Sequence, residues 1–166
     1  MPLGPRRDTA QALSQENVET MRRQYEVQAR EGGLVADLFT PDAEWMAARE
    51  DPDAATHHGV ECIRAYLDLW FGSFEETEFR VEEMIDAGNK VFSWIVFSGR
   101  GASSGVPVEL QQAQVATFRA GKIARIEDYY AGEGEAPGRW TGSGAAELGP
   151  RGRVQRHQLK AVLWSR

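Results

Sequence analysis

The chain has 166 residues, a formal net charge of −6 and one cysteine, Cys62. A chain of this length predicts one domain that buries a single core, with or without a cavity inside it. It has no run of eighteen apolar residues and no apolar stretch behind its N-terminal arginines, which argues against a membrane span and a secretory signal. A single cysteine excludes an internal disulfide, so we expect a cytoplasmic protein, and the acidic balance argues against nucleic acid as a partner.

The first half of the chain predicts three helices and one strand. Ser14 is a good N-cap, and proline pushes the residue before it out of the helical region, so Pro41 ends a helical stretch. In chain order we expect a flexible leader over residues 1–13, a helix from Ser14 to Gly32, a short helix over Leu34–Phe39, a strand over Ala43–Ala48 with Trp45, a polar loop, and a third helix over Ile63–Phe74.

The second half predicts strands, because the apolar period changes to two. They cover Phe79–Ile85, Val91–Gly99, Val106–Phe118 and a last strand that ends at Tyr130. Together the elements predict one α+β domain over residues 14–131, with three helices on one face of a curved antiparallel sheet. Residues 132–166 are dense in Gly, Pro and basic side chains, which predicts a disordered tail.

The turn before the last strand decides which way Asp128 points. A two-residue turn would need Ala120 at positive φ, whereas a three-residue loop needs only Gly121 there, so we expect the loop. Phe118 then pairs with Lys122, and Asp128 faces inward while Glu127 faces out. The inward face would carry apolar groups with a few polar ones, as a binding pocket does: Gln112, Gln114, Phe118, Ile126, Asp128 and Tyr130. The alternative is that Asp128 lies at a solvated strand end.

Five segments resemble the SnoaL-like branch of the nuclear-transport-factor-2-like superfamily. They are SQENVETMRRQYEVQAREGG, DAEW, HHGVECIRAYLDLW, FRVEEMIDAGNKVF and VELQQAQVATFRAGKIARIEDYY. Relatives in that superfamily include polyketide cyclases, ketosteroid isomerase and limonene epoxide hydrolase. The resemblance implies a cone-shaped, cystatin-like α+β barrel with a cavity between sheet and helices, and a homodimer formed through the sheet.

The resemblance also suggests roles for single residues. Tyr25 falls where isomerase-like members place an oxyanion-binding tyrosine; the alternative is a core tyrosine with a satisfied hydroxyl. Gln114 stands where isomerases carry a protonated acid and many SnoaL-like chains a histidine, and glutamine cannot transfer protons at neutral pH. The isomerase base after the first strand has no secure counterpart, because the local length differs and the aligned residues are Ala47-Ala48-Arg49. We expect the acids just beyond them, Glu50, Asp51 and Asp53, to form a solvated loop.

The remaining candidate residues predict no metal or cofactor. Adjacent histidines in an extended segment point to opposite sides, and no third ligand follows His57 and His58 at a familiar spacing. His58 would lie near the cavity rim, where it could bind ligand; the alternative, which we prefer, is a helix-capping or surface role. Trp45 and Trp70 serve the core, and we expect that they also line the cavity.

The sequence therefore predicts a protein that binds a small apolar organic ligand. If it is an enzyme, it is an isomerase, cyclase or hydrolase without a cofactor, in which Asp128 is the acid–base group while Tyr25 and Gln114 hold the substrate oxygen. The alternative is a non-catalytic binding or dimeric assembly domain whose cavity is filled by Trp and Phe side chains.

Overall fold

A computed structural model describes residues 6–49, 51 and 54–130. The predicted tail, 132–166, and the acids Glu50 and Asp53 lie outside these residues. The described helices are α1 (Arg6–Glu31), a 3₁₀ turn (Ala36–Leu38) and α2 (Val60–Gly72). The strands are β1 (Phe39–Met46), β2 (Thr56–His58), β3 (Phe74–Asp86), β4 (Lys90–Gly101), β5 (Pro107–Arg119) and β6 (Lys122–Tyr130).

The six strands form one open sheet in the order β2-β1-β6-β5-β4-β3. Only the β1–β6 pair is parallel among the described strands; the others are antiparallel. Both helices pack on one face, where α1 contributes Met21 and Tyr25 to the core and α2 contributes Ile63 and Leu67. The predicted α+β fold class is confirmed. Neither described helix is both long and apolar enough to cross a membrane.

The helical part differs from the prediction in two places. Helix α1 begins at Arg6 rather than at Ser14. The Ser14 hydroxyl donates instead to Asp86, and Asn17 donates to the Gly88 carbonyl 3.2 Å away, so both side chains tie α1 to the β3–β4 turn. The predicted second helix is only a 3₁₀ turn, because the chain becomes extended at Phe39.

Two strands were also mispredicted at the sheet's first edge. Strand β1 starts before Pro41 and passes through it. Proline is tolerated here because the β1–β6 pairing is irregular between Phe39 and Glu44, so no ladder hydrogen bond is lost. The supposed polar loop contains β2, which pairs with β1 through Trp45 and His57.

The register of the β5–β6 hairpin is wrong in the prediction, yet β6 lies on the predicted faces from Arg125 to Tyr130. Before that point Ile123, and not Lys122, packs in the core with Phe118. Arg119 pairs with Lys122 across a two-residue turn in which Ala120 has φ 52° and Gly121 has φ 76°. One residue, Ala124, is then bulged out, since Phe118 pairs with Ile123 and Thr117 with Arg125. The two-residue turn alone would place each later side chain of β6 on the face opposite to the predicted one. The bulge at Ala124 shifts the pairing by one more residue and so returns these side chains to the predicted face.

Candidate functional site

A small cavity lies between the sheet and the two helices, with a volume of about 20 Å³. This is room for about one water molecule. Its lining combines aromatic side chains with four polar groups, Gln28, Gln112, Gln114 and Asp128; the other lining residues are Trp45, Tyr66, Leu67, Trp70, Phe71, Phe79, Phe97 and Tyr130.

Asp128 is the buried carboxyl group of this cavity. The Trp45 indole Nε1–H donates to its Oδ2 at 2.6 Å, and the Gln114 Nε2–H donates to its Oδ1 at 2.7 Å. Burial raises the pKa of Asp128 to about 7, against the lowering effect of these two hydrogen bonds. At neutral pH the carboxyl is therefore present in both protonation states, so it can donate or accept a proton.

Tyr25 and Gln114 form a hydrogen-bonded chain that ends at Asp128. The Tyr25 hydroxyl of α1 donates to Gln114 Oε1 at 2.7 Å, and Gln114 lies directly opposite Asp128 in the β5–β6 ladder. Burial raises the pKa of Tyr25, so the phenol stays protonated. Because Gln114 is bonded at its Oε1 to Tyr25 and at its Nε2 to Asp128, this arrangement orients the Asp128 carboxyl.

The walls of the cavity are aromatic and closely packed. Trp70 lies 4.7 Å from Phe97, 4.9 Å from Phe71 and 5.1 Å from Phe74, measured between ring centroids. Phe79 also borders a larger groove of about 440 Å³ between α1 and β3, and its ring lies 5.7 Å from Tyr25. The aromatic rings therefore occupy most of the space between sheet and helices.

Asp51 reaches this site from the loop between β1 and β2. The Tyr130 hydroxyl donates to Asp51 Oδ1 at 2.5 Å and the Tyr66 hydroxyl to Oδ2 at 3.3 Å. His57 stacks on the Tyr66 ring at 4.2 Å. The expectation that Asp51 is only a solvated loop acid is wrong, because two tyrosines from distant segments converge on its carboxylate.

The structure brings most of the predicted site residues together. Those that line the cavity are Trp45, Trp70, Gln112, Gln114, Asp128 and Tyr130. Tyr25 is connected to them through Gln114, whereas Ile126 belongs to the fully buried core. Placing His58 at the cavity is wrong: its side chain is 68 % exposed and pairs with Glu44 at 3.2 Å, because the alternation of β2 turns His57 inward and His58 out.

Sequence reasoning missed several lining residues, among them Gln28, Phe71 and Phe79. Helical spacing could have found Gln28, since it lies three residues after Tyr25. The Gln28 side chain is buried, and its Oε1 has no hydrogen-bond partner among the described residues. No group of three or more His, Cys, Asp or Glu in the described ranges could hold a metal ion.

Comparison with protein families gives two matches. The model of the SnoaL-like domain matches residues 11–126, which is most of the chain. A TrwC relaxase model matches residues 110–166, a minor part, of which the described portion forms β5 and β6 of the same sheet. No curated protein matches the chain.

Solved structures share the fold at low identity. A SnoaL-like protein from Jannaschia sp. CCS1, assigned as a polyketide cyclase, is 19% identical with a TM-score of 0.61 and covers 70% of this chain and 85% of its own. Bal32a, from a soil-derived mobile gene cassette, is 18% identical with a TM-score of 0.63 and coverages of 71% and 91%. TerC, co-crystallised with polyporic acid, is 21% identical with a TM-score of 0.60 and coverages of 69% and 91%. At these identities the likeness shows the fold alone.

Proposed function

Because the chain belongs to the SnoaL-like domain family, we propose that it binds a small apolar, ring-containing organic ligand beside Asp128. Asp128 is the acid–base group of a cofactor-independent isomerase, cyclase or hydrolase reaction at this site. The observation that carries the proposal is a buried carboxyl with a pKa of about 7, oriented by Trp45 and Gln114 at the edge of an internal cavity.

The chain's own residues can support a proton transfer in three ways. Asp128 takes a proton from, or gives one to, a ligand carbon or oxygen placed against its carboxyl. Trp45 and Gln114 fix the direction in which the carboxyl oxygens point. Tyr25 acts through Gln114 as a positioning residue, because its hydroxyl is bonded to the amide and not directed at the cavity.

Ligand entry requires the cavity to widen. Its volume of about 20 Å³ is far below the roughly 150 Å³ of a cavity that holds benzene. The half-buried aromatic residues are the walls that can move outward, since the other lining residues are buried; they are Tyr66, Trp70, Phe71, Phe79 and Tyr130. We therefore propose that the cavity widens when a ligand binds.

The small volume of the cavity also favours a second candidate function, a non-catalytic binding or assembly domain. In that case the Trp and Phe rings are ordinary core, and Asp128 is a buried carboxyl with a structural role. The two candidates differ in whether any ligand can open the cavity.

A thermal-shift screen separates the candidates. Wild type, Asp128→Asn and the matched control Glu127→Gln are screened against steroids, aromatic polyketides, terpenoid epoxides and fatty acids. Glu127 is the neighbouring carboxyl on the opposite face of β6. We expect a ligand that raises the melting temperature of wild type and Glu127→Gln, with a smaller rise for Asp128→Asn.

The hit is then assayed for turnover. Turnover that is lost in Asp128→Asn and kept in Glu127→Gln supports the acid–base role. Equal turnover by wild type and Asp128→Asn overturns that role, and no stabilising ligand in any class favours the non-catalytic candidate.

A homodimer through the sheet is a further proposal that the resemblance suggests. The face opposite the helices carries a second apolar cluster, formed by Phe92, Trp94, Ala113 and Val115. All four are 6 % exposed or less within the single chain, so pairing through this face must first uncover them.

A further inference from the structure

Two half-buried tyrosines border the Asp128 cavity. Tyr66 comes from α2 and Tyr130 from the end of β6, and both rings line the cavity. Their hydroxyls converge on the two carboxylate oxygens of Asp51, at 3.3 Å and 2.5 Å. One carboxylate therefore connects a helix to a strand across the cavity.

We propose that Asp51 is a positioning residue that, by bridging Tyr66 and Tyr130, holds α2 against the end of β6 and keeps the Asp128 cavity at its one-water size. The inference rests on the proposed function only in taking this cavity as the ligand site. The bridge must break, or its two tyrosines must separate, before a ring-sized ligand can reach Asp128.

The hydrogen bonds from the two tyrosines to Asp51 are of a kind that can hold the cavity closed. A carboxylate accepts two hydrogen bonds at once, and hydrogen bonds to an ionised acceptor are stronger than neutral ones. Burial and the Asp51 charge both raise the pKa of Tyr130, and burial with the charges of Asp128 and Asp51 raises that of Tyr66. Both phenols therefore remain protonated donors at neutral pH.

The bridge is also coupled to Asp128. After burial, the Asp51 charge is the remaining influence that raises the pKa of Asp128. Trp45, whose indole holds Asp128, packs 6.3 Å from the Tyr66 ring. The titratable groups around this cluster are Asp51, Asp128, Tyr25, Tyr66, Tyr130 and His57, which stacks on Tyr66.

Hydrogen exchange of the Trp45 indole Nε1–H reports opening of the site. This proton is buried and bonded to Asp128, so it exchanges with solvent only when the cavity opens. We expect its exchange rate, measured by ¹⁵N NMR, to rise about tenfold or more in Asp51→Ala and in Tyr130→Phe. Asp51→Asn, which keeps one acceptor oxygen, should show a smaller rise.

The matched controls remove similar groups outside the bridge. Tyr129→Phe changes the neighbouring tyrosine, which lies on the opposite face and contacts Glu127 at 3.5 Å. Asp68→Asn removes an exposed carboxyl from α2. Neither control should accelerate the exchange of the Trp45 proton.

The titration of Asp128 is followed through its ¹³Cγ chemical shift. It distinguishes the effect of Asp51 on closure of the cavity from the effect of the Asp51 charge on Asp128. We expect the pKa of Asp128 to fall from about 7 in Asp51→Asn and Asp51→Ala, and to remain there in Asp68→Asn. Unchanged indole exchange in both Asp51→Ala and Tyr130→Phe overturns the closure, even if the pKa of Asp128 falls. Neither readout needs a ligand, so a failed ligand screen would remove the proposed function and leave this result intact.

Discussion

The residue that governs this site is Asp128, whose carboxyl is buried among aromatic side chains. Burying an ionised carboxyl is costly, and two hydrogen bonds offset this cost only in part. A carboxyl with a pKa of about 7 therefore makes the free energy of unfolding depend on pH, in addition to its effect on proton transfer.

The stability of the fold should depend on the protonation of Asp128. The folded state binds this proton more tightly than the unfolded chain, where the pKa is about 3.9. The resulting stabilisation is fully present below about pH 4 and is lost as the pH rises through about 7, and its size is about 4 kcal/mol. We expect urea unfolding to show Asp128→Asn gaining about that much relative to wild type between pH 4 and pH 8.

Glu127→Gln is the control for this pH dependence, because it removes a neighbouring carboxyl from the other face of β6. Its stability relative to wild type should change much less over the same range. A difference between Asp128→Asn and wild type that is the same at pH 4 and pH 8 would show that Asp128 titrates normally in the folded protein.

The element that sets the direction of Asp128 is the β5–β6 hairpin. Its two-residue turn holds Ala120 at φ 52° and Gly121 at φ 76°, and side chains are disfavoured at both positions. The sequence prediction avoided this turn because of the Ala120 Cβ. The fold accepts the strain, because the rest of the hairpin is paired along its length.

Strain in this turn can be measured directly. A Cβ at Gly121 would meet no atom within 4 Å, so Gly121→Ala changes backbone strain alone and should lower the free energy of unfolding by about 1 kcal/mol. Ala120→Asn should raise it by roughly 0.5 kcal/mol, since asparagine tolerates this conformation. Gly72→Ala, also in open space and without positive φ, is the control. If all three variants unfold alike in urea, the turn is not strained.

At the scale of the whole molecule, the sheet separates two apolar clusters. The cluster between sheet and helices surrounds the site, whereas Phe92, Trp94, Ala113 and Val115 form the cluster on the other face. The homodimer proposal predicts a sedimentation mass of about twice the 18.5 kDa chain at micromolar concentration. A mass of one chain over the accessible concentration range would overturn it.

Several features of the site could be predicted from the sequence because they depend on local periodicity. Alternation along β5 and β6 placed Gln112, Gln114 and Asp128 on one face, and the two errors in the hairpin cancelled. Which of the adjacent residues His57 and His58 faces outward could not be predicted from their chemistry. It depends on β2, a three-residue strand with too few residues to show a period.

What the sequence by itself determined is the fold class, the order of the main elements and the inward face of the last two strands, because these follow from hydrophobic period and turn chemistry. Only the tertiary structure decided the size of the cavity and the hydrogen bonds of Tyr66 and Tyr130 to Asp51. Both depend on segments far apart in the chain: Tyr130 and Asp51 are separated by 79 residues, and the cavity is what remains after the α2 rings pack against the sheet. Packing at that distance leaves no local pattern in the sequence.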